Sequence, residues 1–231
     1  MTEVVVSSRP WNDGLAARLA KHTGRAFAQI GDSADFTAEN LERIGATRVF
    51  VPHWSRIIPP EVFERFETIV FHMTDLPYGR GGSPLQNLIV RGHSHTVISA
   101  LRCEAGLDTG PIYLKRSLSL AGTAQDIFER ATGVIEGMVV EIVASDPAPL
   151  PQAGEVLEFR RRRPADGDLS PLTETRQVYD HIRMLDAEGY PPAFIDTGPW
   201  RIEFSRAVLD EGGVTATARI VLRDAAAKGA P

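Results

Sequence analysis

The sequence predicts an α/β protein with a mostly parallel central sheet and a small α+β domain after it. Three observations carry this. Short apolar runs alternate with helix-like segments over about the first 145 residues, a pattern that makes parallel strands with crossover helices. A proline-rich stretch, Pro147, Pro149 and Pro151, then interrupts all periodicity. Beyond it the pattern changes to one short helix and two strand-like runs around a glycine turn.

The elements follow in order. Val4-Val5-Val6 is a buried-strand candidate, and Leu15 and Leu19 with intervening alanines give one apolar stripe at helical spacing. Phe27 to Ile30 is the second strand, Leu41 and Ile44 mark the second helix, and Arg48 to Val51 is the third strand, ended by Pro52. Thr68 to His72, Thr96 to Leu101 and Ile112 to Leu114 supply three more. Thr123 to Ala144 is a long helix: Thr123 caps it, Asp126 stands three residues on, and Ile127, Ala131, Val134, Ile135, Met138, Val139 and Ile142 share one face. Gln177 to Asp186 is a short helix, Arg201 to Val208 and Val214 to Leu222 form a hairpin, and the last residues, 224–231, are expected to fray. The predicted domains are 1–146, a linker over 147–172, and 173–231. A Rossmann-like topology is the expected form of the first.

Composition narrows the setting. A hydrophobic fraction of 43% and a charged fraction of 24% are those of a soluble globule, and no run is long enough to span a bilayer. No basic leader precedes an apolar segment at the N-terminus, so a cytoplasmic location is expected. The single cysteine, Cys103, excludes an intrachain disulfide framework. A net charge of −5 argues against nucleic-acid binding. His93 and His95 lack further ligands at metal spacing, so no metal is expected. The run Arg160 to Arg163 reads as a solvated linker or a set of inter-domain ion pairs.

Chemistry gathers in two stretches. FHMTDLPYGRGGSP (71–84) places a histidine at a strand end, before a proline turn, an arginine and three glycines. CEAGLDTGPI (103–112) brackets Asp108 with glycines between two strands. Loops beyond strand ends of an open sheet carry function.

Together these stretches resemble the folate-dependent formyltransferases. That family's motif runs Asn-x-His-x-Ser-Leu-Leu-Pro, then Arg-Gly, and later an Asp-x-Gly turn. Here His72, Pro77, Arg80-Gly81 and Asp108-Thr109-Gly110 stand at matching spacings. The resemblance covers residues 45–145 well and includes Val49 to Pro59, which is similar to the family's pterin-side loop. It implies a formyltransferase fold, 10-formyltetrahydrofolate as formyl donor, and His72 and Asp108 as catalytic residues. It further implies a folate site at Trp54, Arg56, Ile57, Ile58 and Glu104, Ala105, Gly106, Leu107. Ser8 and Arg9 after the first strand, with Arg80, Asn87 and Tyr190, are expected on the acceptor side.

One position departs from the family. The motif's asparagine falls on Val70, which donates no hydrogen bond. Asn87, Thr74 or a water are the candidate replacements. The wording FHMTDLPYGRGGSPLQNLI and YDHIRMLDAEGYPPAFI resembles small sugar formyltransferases, which implies a nucleotide-linked 4-amino-4,6-dideoxy sugar as acceptor. Acidic balance and a short C-terminal segment disfavour methionyl-tRNA. The alternatives are an amino-acid or carrier-bound amino-acid formyltransferase, and a folate-binding remnant without catalysis. The expected partners are therefore a small-molecule amino sugar nucleotide, no nucleic acid and no membrane, with assembly as a homodimer left open.

Overall fold

The computed structural model describes residues 2–223. The predicted frayed end, 224–231, lies outside the described residues. In chain order the elements are β1 (Thr2–Val6), α1 (Leu15–Thr23), β2 (Ala26–Ile30), α2 (Ala38–Ile44), β3 (Ala46–Pro52), α3 (Pro60–Phe63), β4 (Glu67–His72), β5 (Tyr78–Gly81), α4 (Pro84–Ile89), β6 (His95–Arg102), β7 (Ile112–Ser119), α5 (Ala124–Ser145), β8 (Leu157–Phe159), α6 (Thr175–Arg183), β9 (Ala193–Thr197), β10 (Trp200–Asp210) and β11 (Gly213–Leu222). Among the described residues no helix is long and apolar enough to cross a membrane.

The chain forms two compact units that are not contiguous in sequence. The first comprises residues 2–81, 96–118 and 128–158, the second 82–95, 119–127 and 159–223. In the first, six strands make one sheet in the order β2-β1-β3-β4-β6-β7. β1 runs parallel to both β2 and β3, and β3 is parallel to β4. β6 is antiparallel to β4, with His72 opposite Ser99. This is the mostly parallel sheet that the alternating pattern predicts. Near-continuous apolar runs such as Val4-Val5-Val6 and Val49-Phe50-Val51 arise because such strands are covered on both faces. On one face Val4, Val6, Val49 and Val51 pack with Phe36, Leu41 and Val62, and Trp54, Val70 and Cys103 lie against that cluster.

Residues 147–158, the first part of the proline-rich stretch read as a linker, group with the first unit, where Ile112 and Leu150 exchange both backbone hydrogen bonds (2.8 and 2.9 Å) and extend the ladder at the edge of the sheet. Prolines at 147, 149 and 151 leave the amide of Leu150 free to donate, so the stretch is extended yet anchored.

In the second unit β9, β10 and β11 form an antiparallel sheet. The predicted hairpin is present. Its β10 strand bulges between Ser205 and Val208, where Arg206 takes φ +52° and its amide donates to Asp186 Oδ2 at 2.7 Å. The capping box also forms: the Asp126 amide donates to Thr123 Oγ1 (3.2 Å) and the Thr123 amide to Asp126 Oδ2 (2.9 Å). The arginine run is partly tied down. Arg160 pairs with Asp166 at 2.9 Å, and Asp166 is held below the usual carboxylate range by the Arg163 amide and then by Arg160. Gly82 approaches Arg161 so closely that a Cβ there would lie 2.6 Å from the arginine Cα.

Candidate active site

β4 delivers His72 to its carboxyl end, where the side chain is 8% exposed. The chain then turns through Pro77 into β5, and the imidazole folds back onto that turn. Its Nε2 lies 2.8 Å from the Gly79 carbonyl oxygen. A carbonyl only accepts, so Nε2 carries the hydrogen and Nδ1 is the nitrogen left for proton exchange. The turn is itself braced. Thr74 Oγ1 donates to the same Gly79 carbonyl (3.3 Å), Ser99 Oγ donates to the Thr74 carbonyl (2.8 Å), and Thr96 Oγ1 donates to that of Met73 (3.1 Å).

Asp108 arrives from the loop between β6 and β7. Its Oδ2 stands 3.5 Å from His72 Nδ1 and accepts the Gly81 amide at 2.9 Å. Asp108 occupies the left-handed region at φ +53°, a conformation that aspartate tolerates better than most residues but that still costs energy. Gly110 lets the loop close: a Cβ there would lie 1.9 Å from the Arg102 carbonyl oxygen. Gln152, which no motif had singled out, donates to the carbonyls of Asp108 (2.8 Å) and Gly110 (2.9 Å). Nearby Cys103 has its thiol pushed up to about 11 by burial, and then by the charges of Asp108 and Glu104, so at neutral pH it is protonated.

The residues expected at the folate site fall on two exposed loops of the first unit. Ile57 is 93% exposed and Leu107 68%, unusual values for large apolar side chains, whereas Ile58 is buried. Arg56 and Glu104 to Gly106 are exposed beside them. Trp54 packs edge-on against Phe36 at 5.4 Å, yet its indole Nε1 is buried without a hydrogen-bond partner. A cavity of about 300 Å³ joins Ser8, Gly31, Asp32, Ser33, Trp54, Ser55 and Arg56. It opens after β1, β2 and β3, where the strand order reverses around β1, the place an open parallel sheet offers a ligand. Ser8, Trp54 and Arg56 are thus brought together. Arg9 instead lays its guanidinium over the Trp11 ring, 5.6 Å from the centroid.

His53, in the same loop, takes φ +52° and accepts at Nδ1 from Trp11 Nε1 (3.0 Å) and Asn12 Nδ2 (3.2 Å). Its hydrogen therefore sits on Nε2, which is buried and unpartnered. Burial, with the positive charge of Arg9, lowers its pKa to about 3, so the ring is neutral in ordinary solution.

Asn87 cannot serve as a free donor: its amide hydrogens go to the carbonyls of Gly82 (3.0 Å), Ser83 (3.1 Å) and Arg160 (2.9 Å), and it stitches the second unit together. Thr74 is committed to Gly79. Arg80 spends Nε and Nη2 on Gln152 Oε1 at 3.1 and 2.8 Å, so those donors are not open to an acceptor substrate. His72 commits its Nε2 hydrogen to Gly79, so a role as direct oxyanion donor through that nitrogen would require it to release the carbonyl. Tyr190 belongs to the second unit, where its amide donates to the Ala187 carbonyl.

Comparison with known proteins gives two family matches. The family described as "Formyl transferase" matches residues 5–132, and "Methionyl-tRNA formyltransferase, C-terminal domain" matches 164–221. A solved structure named as the methionyl-tRNA formyltransferase from Clostridium thermocellum is 44% identical, with TM-score 0.92, over 96% of this chain and 99% of that one. The methionyl-tRNA formyltransferase of Gluconobacter oxydans is 29% identical over 68% of this chain and 52% of its own length. The chain spans between half and two thirds of the length of the first curated relatives it matches. A likely sugar N-formyltransferase from Mycobacterium tuberculosis shares the fold, with TM-score 0.67 at 18% identity over 96% of this chain and 97% of that one.

Proposed function

Because the chain belongs to the formyltransferase family, we propose that it transfers a formyl group from 10-formyltetrahydrofolate to a primary amine, with His72 and Asp108 moving the proton. The observation that carries this reading is the His72–Asp108 pair, 3.5 Å apart at the end of β4, with the imidazole tautomer set by Gly79. The folate supplies an activated formyl carbon. The amine attacks that carbon, its bond to the folate nitrogen breaks, and the proton lost by the amine ends on that nitrogen. Asp108 and His72 Nδ1 can hold that proton between them in transit. A proton on Nδ1 also makes a cation beside the oxyanion that develops, a stabilisation worth a few kcal/mol in a site that excludes water. The exposed Ile57 and Leu107 and the unpartnered Trp54 N–H support a ligand with an apolar ring and a hydrogen-bond acceptor in the folate loops.

For the acceptor, the similarity over nearly the whole chain to a protein named a methionyl-tRNA formyltransferase favours an amine on a carrier-bound amino acid. This reverses the preference drawn from the sequence, which set the amino sugar first. A nucleotide-linked amino sugar is the second reading, favoured by the net charge of −5, which suits a long polyanion poorly. The test is to offer 10-formyltetrahydrofolate with methionyl-tRNA, free amino acids and nucleotide-linked 4-amino sugars, and to follow the gain of one formyl group by mass spectrometry. Formylation of methionyl-tRNA is the expected result. Transfer to an amino sugar alone replaces the first reading by the second. Folate binding with no transfer to any amine, under conditions where a related enzyme turns over, contradicts both and leaves a folate-binding remnant.

A further inference from the structure

Gln152 lies in the proline-rich stretch after α5, where no motif points to chemistry. Its side-chain amide is nevertheless fully used. Nε2 donates both hydrogens, to the carbonyls of Asp108 (2.8 Å) and Gly110 (2.9 Å), and Oε1 accepts from Arg80 Nε (3.1 Å) and Nη2 (2.8 Å). A glutamine can make no more bonds of normal geometry than these four. The orientation is determined by its partners, since carbonyls only accept and a guanidinium only donates.

The two segments joined in this way are the ones that frame the reacting pair. Gly79 and Gly81, on either side of Arg80, bind His72 Nε2 and Asp108 Oδ2 respectively. Asp108 and Gly110 belong to the loop that presents the carboxylate, at a backbone conformation (φ +53°) that holds only when its surroundings over-determine it. Gln152 is fastened in turn by the paired backbone of Leu150 and Ile112. All these residues belong to the first unit.

We propose that Gln152 is a positioning residue for the formyl-transfer centre, setting the His72–Asp108 separation by clamping the Asp108 loop to the Arg80 turn. The inference rests on the reading of His72 and Asp108 as the proton-moving pair. Gln152 touches no reacting atom. It acts by preventing the left-handed Asp108 turn from relaxing away from the imidazole, and misplacement by about an ångström costs on the order of a hundredfold in rate.

The experiment compares wild type, Gln152→Ala and Gln152→Glu by steady-state transfer, tetrahydrofolate binding, thermal unfolding and ¹⁵N-histidine NMR of His72 across pH. Gln152→Ala is expected to lower kcat about 10- to 100-fold and to shift the His72 titration, with folate affinity within about threefold. Gln152→Glu keeps the Arg80 contact but removes both donors from Asp108 and Gly110, so it should not restore the rate. A His72 titration unchanged in both variants overturns the inference. If wild type transfers formyl to no amine, the functional reading fails instead, and the His72 titration still decides whether Gln152 positions the pair. Should Gln152→Ala not fold, the comparison rests on Gln152→Glu, where a wild-type rate and titration likewise overturn the proposal.

Discussion

Two regions of the first unit differ in how they use polar atoms. At the end of β4, His72, Thr74, Asp108, Arg80 and Gln152 form a network in which the hydrogen bonds are made before any ligand arrives. At the end of β3, two consecutive residues hold buried donors with nothing to donate to, His53 Nε2 and Trp54 Nε1. Among the described residues these are two of the three buried side-chain polar atoms without a partner, the third being Glu3 Oε2. An orphaned buried donor costs about 1–3 kcal/mol, and native folds keep few of them. The contrast separates two tasks. On the proposed reading, the hydrogen-bonded β4 region serves proton transfer, and the β3 loop carries unmet bonding capacity that a ligand acceptor could satisfy.

The largest expected effect comes from the first region. Asp108→Asn keeps an oxygen for the Gly81 amide, so the loop should fold, but it removes the carboxylate facing His72. Transfer should fall by about 10³-fold, within the usual range for a lost acid–base partner, with the unfolding temperature within a few degrees of wild type. The second region should respond in affinity. Trp54→Phe keeps an aromatic ring against Phe36 but loses the indole N–H. Tetrahydrofolate should bind about 5- to 20-fold more weakly, the equivalent of one hydrogen bond of roughly 1–2 kcal/mol, as read by calorimetry.

The smallest effect sharpens the comparison through pH. Burial and the charge of Arg9 disfavour the His53 imidazolium and lower its pKa in the folded protein from the ordinary histidine value of 6.5 to about 3. The unfolded chain therefore binds the proton first. The contribution to stability is complete above pH 6.5 and is lost as pH falls toward 3, at up to about 1.4 kcal/mol per pH unit. His53→Asn, which tolerates the positive φ, should flatten that part of the pH dependence of urea unfolding. An unchanged slope would mean that the ring is solvated and able to charge in the folded state.

Much of the fold was legible because it is periodic. The α5 face from Ile127 to Ile142, its Thr123–Asp126 cap and the valine-rich strands follow from local spacing that tertiary contacts reinforce. β5, α4, β8 and β9 were not read. They are short: β5 contains two glycines, α4 opens on a proline, and part of this region is held by partners distant in sequence, as where the Gly82 amide reaches the Phe159 carbonyl at 3.1 Å. The same limit applied at the site. His72 and Asp108 were visible through their spacing and brought within 3.5 Å. That Asn87 spends its amide hydrogens on backbone carbonyls of Gly82, Ser83 and Arg160 is something sequence does not reveal. Gln152 was missed because a lone glutamine among prolines has no motif, and its role exists only once the chain returns along β7.

The most direct test of the division between the two regions measures tetrahydrofolate affinity and single-turnover formyl transfer side by side in Asp108→Asn and Trp54→Phe. The account predicts a crossed pattern. Asp108→Asn should keep affinity within about threefold and lose about 10³-fold in the transfer step, whereas Trp54→Phe should lose affinity and keep the saturated rate within about threefold. Equal losses of affinity and rate in both variants, or a saturated rate in Asp108→Asn within tenfold of wild type, would contradict it.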